Sequence, residues 1–152
     1  MPPITPAPDR SWRKWLSVAA LALLVSYMVG HVASTGVLFL TDEATHIPVM
    51  PVILGAQGVA LVAGAVWLAR MPYLWRRVQR GLTLAGILAI AALVLLVIVV
   101  GGQMVRDSSM DQGGATAGFF ALLLFGVPFL LQAALFLFGG AMAGRRAKSA
   151  GV

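Results

Sequence analysis

Cysteine is absent from the chain, which excludes disulfides, thiolate metal sites and cysteine nucleophiles within it. Charge is nearly as scarce: 11% of the 152 residues are charged, where an ordinary globular chain has about a quarter. No phosphate-cradling glycine loop, catalytic serine motif or carboxylate pair occurs anywhere. The sequence therefore presents no evident catalytic machinery. What it has in excess is apolar surface, with 60% apolar residues and a mean hydropathy of +0.93. A soluble domain of this length needs polar residues to cover its one small core. Too few are present, so the medium around most of the chain must be lipid.

Four stretches carry no Asp, Glu, Lys or Arg: residues 15–41, 44–69, 81–105 and 112–144. Each exceeds the roughly 20 residues with which an α-helix crosses about 30 Å of hydrocarbon. Their apolar residues are nearly continuous, without strand-like alternation or a clear polar stripe. That argues for helices acceptable on every side to lipid or to other helices, and against the shorter, alternating strands of a barrel. The expected fold is an all-α membrane protein, a four-helix transmembrane bundle with short loops and helices near 15–40, 48–69, 81–104 and 115–143. This domain, 15–144, lies between a disordered, Pro-rich basic tail at 1–14 and a basic tail at 145–152.

The cations set an orientation. Arg10, Arg13 and Lys14 precede the first span, Arg70, Arg76, Arg77 and Arg80 lie between the second and third, and Arg145, Arg146 and Lys148 follow the fourth. Arg106 alone falls on the other side, beside Asp107 and Asp111, while the remaining loop carries Asp42 and Glu43 and no cation. Basic loops are retained in the cytoplasm during insertion, so both termini are expected there. Trp12, Trp15, Trp67, Tyr73 and Trp75 fall at the same boundary, where an aromatic ring can bury its body and wet its polar edge. The net charge of +6 is thereby accounted for by topology, and no nucleic-acid partner is expected. The Ala- and Gly-rich make-up suits a bacterial inner membrane.

A basic stretch before the first apolar run, with Val32-Ala33-Ser34 as small residues, offers a signal-peptide alternative. Gly36-Val37-Leu38-Phe39-Leu40 prolongs that run beyond a signal core of about 7–15 residues, so a retained helix is expected. Trp12-Arg13-Lys14 and Trp75-Arg76-Arg77 each open an inside-to-outside helix and loosely echo one another, as a duplicated hairpin would.

Helices associate in lipid through close packing of small residues and interhelical hydrogen bonds. Ser26, Gly30 and Ser34 make one strip, Ala56, Ala60 and Gly64 a second, and Gly126, Ala133, Gly140 and Gly144 a third. Intramembrane polar side chains are few. Tyr27 and His31, four apart, share a helix face. At about 1.5 Å per residue, His31 and Gln57 lie at similar depths, with Gln132 lower. Tyr27, His31, Gln57 and Gln132 thus make one candidate polar seam. It is either a proton, ion or quinone site or simple hydrogen-bonding glue with a neutral His31.

Haem is not expected, because the only other histidine, His46, belongs to a loop. Asp42, Glu43 and His46, or Met104 and Met110 beside Asp107 and Asp111, match no dedicated metal site. We expect neither metal nor cofactor. Phe125, Phe129 and Phe136 form a stripe on the fourth span, and Pro128 between two of them predicts a kink. The functional expectation is a non-enzymatic accessory or assembly subunit whose partners are the bilayer and other membrane subunits or itself. A homo-oligomeric transporter or channel lined by His31 and Gln57 comes second, and a membrane redox or quinone-linked enzyme third.

Overall fold

The computed structural model describes residues 11–40, 48–107 and 112–151. They form α1 (Ser11–Leu40), α2 (Val49–Ala69), α3 (Leu74–Asp107), α4 (Gln112–Ala121), a π-helical turn (Leu122–Gly126) and α5 (Val127–Ser149). Among the described residues, four helices are long and apolar enough to cross a membrane: Trp12–Val37, Val49–Ala69, Leu74–Val105 and Gly118–Ser149, the last running from α4 through the π turn into α5.

Local chemistry explains the breaks. α2 stops where Met71 precedes Pro72, a position that disfavours helical backbone, and α3 begins with the Arg77 amide donating to the Tyr73 carbonyl at 3.1 Å. Arg76, Arg77 and Arg80 therefore belong to the first turns of α3, leaving a connection of only Arg70–Tyr73. The terminal helices are likewise longer than the apolar runs alone suggest. α1 takes in Ser11–Lys14, and α5 takes in Arg145, Arg146 and Lys148; arginine and lysine are good helix formers, and at the end of α5 the helix dipole favours them as well. Ahead of Pro128, where the sequence predicts a kink, the helix carries the π turn Leu122–Gly126. Proline has no N–H and crowds the carbonyl four residues back, and a widened turn is one known way to accommodate that.

Packing is uneven. α1 lies between α2 and α3, and α3 packs along α5. Near the basic end, Val18, Leu21 and Ala22 of α1 meet Leu68 of α2 and Met71 of the connection. Midway along, Met28 of α1 fits against Ala85 and Ala89 of α3 and Ala133 of α5. The result is an inner pair, α1 and α3, flanked by α2 against α1 on one side and by α5 against α3 on the other. The flanking spans are the least buried: 6% of the most apolar stretch of α2 and 11% of that of the α4–α5 span are buried, against 39% for α1 and 28% for α3.

Candidate functional site

The α1 strip of small residues is the floor of the α1–α2 contact. Ser26 Oγ donates to the Gln57 carbonyl of α2 at 2.8 Å, and a side chain at Gly30 would collide with the Gln57 amide. One turn lower, Gly64 lies against Ala22, its would-be Cβ 3.9 Å from the Ala22 Cα. Ser26 and Gly30 of the first strip and Gly64 of the second thus lie in the α1–α2 contact. The third strip faces α3: Gly126, Ala133, Gly140 and Gly144 are all buried. Thr83 and Gln79 of α3 sit directly over Gly140 and Gly144.

The polar residues fall into two places. Tyr27 and His31 meet edge to face, ring centroids 4.4 Å apart, and His31 meets Phe129 of α5 the same way at 5.2 Å. Gln57 instead occupies the Ser26/Gly30 face of α1, which is turned by about 100° from the Tyr27/His31 face because each residue advances a helix by that angle. Gln132 lies on α5 three residues from Phe129, hence on the same side of that helix. His31 Nε2 and Gln132 Oε1 are both buried without a hydrogen-bond partner among the described residues. Tyr27 is 52% exposed, toward the surroundings of the helices. His31 also has a crowded backbone, since Ser34 Oγ and Thr35 Oγ1 each donate to its carbonyl at 2.9 Å. His31 thus offers a buried imidazole nitrogen bordered by the edges of the Tyr27 and Phe129 rings.

The most elaborate polar site is one that the sequence reading treated only as a topological charge. Arg77 is fully buried, with 0% exposure. Its Nη1 donates to Ser17 Oγ at 2.5 Å and, at 3.4 Å, approaches the Lys14 carbonyl; its Nη2 donates to the Met71 carbonyl at 2.8 Å. Ser17 Oγ in turn donates to the Lys14 carbonyl at 2.8 Å. One guanidinium on α3 therefore ties the first turns of α1 to the start of the α2–α3 connection, and its planar fork of donors suits several acceptors at once. A positive charge near the carbonyl end of α2 is also favoured by the helix dipole. The signal for this was spacing. Arg77 precedes Gly81, Ala85 and Ala89 at four-residue steps, all buried on one face of α3, while Arg76 and Arg80 fall off it.

Around this site the basic end carries cation–aromatic contacts. Arg146 of α5 lies over the Trp75 ring at 4.9 Å, Arg13 over Trp12 at 5.4 Å and Lys14 over Trp15 at 6.0 Å. The starts of α1 and α3 and the ends of α2 and α5 accordingly share one end of the molecule. Asp42, Glu43, His46, Met110 and Asp111 lie outside the described residues, among which no group of three or more His, Cys, Asp or Glu side chains gathers. No family model matches the chain, and neither a curated protein nor a solved structure matches it.

Proposed function

We propose that the protein is a multi-pass protein of a bacterial inner membrane, both termini cytoplasmic, acting without catalysis as an accessory or assembly subunit of a larger membrane complex. The observation that carries this reading is the outer face of α2. Gly55 and Gly58 have open space where a side chain would stand, and Val59, Val62 and Val66 continue the same outward face. Small and β-branched residues in that pattern favour close helix approach in lipid, and inside the chain such strips are already in use between α1 and α2 and between α3 and α5. Purified in mild detergent, the protein should carry a stoichiometric membrane partner that Gly58→Leu releases without lowering the unfolding temperature. A clean, isolated species with turnover of its own would refute the proposal.

A homo-oligomeric transporter or channel is the second reading, favoured by the buried His31 Nε2 and Gln132 Oε1, which have no hydrogen-bond partner among the described residues. It requires pH-dependent flux in liposomes that is lost in His31→Ala. Gln57, set on another face of α1, would not line the same path as His31. Unchanged flux in the variant would remove this role.

A further inference from the structure

A cleft of about 300 Å³ opens at the basic end between the last turn of α2 and the first turns of α3. Trp67 of α2 forms one wall. The floor is a single face of α3, Arg80, Thr83, Leu84 and Ile87, at the i, i+3, i+4, i+7 spacing of a helix. Gln79 closes the side toward α5, its amide resting against Gly144. The cleft changes character along its length. Arg80 and Gln79 stand at the basic end, and Ile87, seven residues further along α3, lies roughly 10 Å deeper at 1.5 Å per residue.

We propose that this cleft binds an anionic phospholipid of the leaflet at the basic end. Its phosphate would be held by Arg80, with the Gln79 amide and the Trp67 indole N–H within the same cleft, and its acyl chain would lie along Leu84 and Ile87. Polarity order is the first argument, because charged head, hydroxyl and then hydrocarbon is the order of the lining itself. Charge complementarity is the second. Arg80 is exposed, Arg76 is exposed one turn before it, and Arg70 is exposed just beyond Trp67, while the sequence has no Asp or Glu from residue 44 to residue 106. Three neighbouring cations with no local acid attract an anion, and basic clefts between spans are a recurring form of lipid headgroup site. The volume is at the lower end of small-ligand sites, which suits a phosphate and its glycerol, with the chains continuing outward into the bilayer.

The test uses the full-length protein in phosphatidylcholine vesicles containing trace spin-labelled phosphatidylglycerol or, in parallel, spin-labelled phosphatidylcholine. The immobilised fraction should favour phosphatidylglycerol about fivefold, the weight of one arginine near an anionic lipid surface. Arg80→Gln should bring the preference close to parity. Ile87→Trp, which fills the deep end, should release both labelled lipids while leaving Arg80 in place. An unfolding scan of each variant establishes that it is folded, as the exposure of both side chains leads us to expect. Equal immobilisation of the two lipids, or an unchanged preference in folded Arg80→Gln, would overturn the proposal. So would displacement of the lipid by inorganic phosphate at similar concentration, which would mark a free-anion site.

Discussion

Removing the Arg77 guanidinium tests how the spans are held in register. Two charge-assisted hydrogen bonds, at 2.5 and 2.8 Å, contribute about 1.5–3 kcal/mol each. The approach to the Lys14 carbonyl at 3.4 Å is too long to add much. Against them stands the desolvation of a buried cation, which is relieved when the charge is removed. The net loss for Arg77→Ala is therefore about 3 kcal/mol, or a fall in Tm of roughly 6–12 °C for a chain of this size. Arg77→Lys keeps the charge but cannot span Ser17 and Met71 with one planar group, so it should lose about half as much. Arg76→Ala, at an exposed neighbouring position, should stay within about 0.5 kcal/mol of wild type. Intrinsic fluorescence during thermal unfolding in detergent is a suitable assay, because Trp12, Trp15, Trp67 and Trp75 all lie in the segments that meet at this end. Equal unfolding midpoints for Arg77→Ala and Arg76→Ala would refute the reasoning.

Three further outcomes follow from the packing. At Gly140 a Cβ would come 2.8 Å from Thr83 Oγ1 and 3.3 Å from the backbone at Gln79 O and Thr83 N, so Gly140→Ala should cost about 1–3 kcal/mol. Gly101→Ala, with open space around it, should be neutral or stabilising by up to about 1 kcal/mol; detergent-denaturation titrations compare the two. Ser26→Ala removes the hydroxyl bond to the Gln57 carbonyl and should lower stability by about 0.6 kcal/mol, the average for such bonds in a membrane; a double-mutant cycle with Gly30→Ala reads whether the loss is local to the α1–α2 contact. Pro128→Ala restores the missing N–H, and amide chemical shifts over residues 122–128 should then move to regular α-helical values. Persistence of the π turn would instead attribute it to the packing of Gly126 on Leu93.

The spans were legible because continuous apolar runs without charge have few physical solutions other than a membrane helix. Helix neighbours were not legible. A span that is apolar all round carries little directional signal, so nothing in one dimension distinguished an open arrangement, with α2 attached to α1, from a closed bundle. The small-residue strips did identify contact faces, since Gly140 and Gly144 are useful only where another backbone comes close, but not which helix would come. For the polar residues, the four-residue step from Tyr27 to His31 puts both on one helix face, where their rings meet edge to face. Equal depth did not place Gln57 with them, because depth says nothing of rotation about the helix axis. Arg77 was missed for the opposite reason. A cation next to an apolar span reads first as a topological signal, and only its step to Gly81, Ala85 and Ala89 reveals that it points inward.

Topology is the point on which the whole account turns, and the absence of native cysteine makes it directly measurable. Single cysteines at Pro6→Cys, Thr45→Cys, Arg70→Cys, Ser109→Cys and Ser149→Cys can be probed in intact cells with a membrane-impermeant maleimide. Labelling at positions 45 and 109 alone, with 6, 70 and 149 reacting only after the membrane is opened, is the predicted pattern. Reaction of positions 6 and 149 from opposite faces, or recovery of the protein from lysate without detergent, would contradict it.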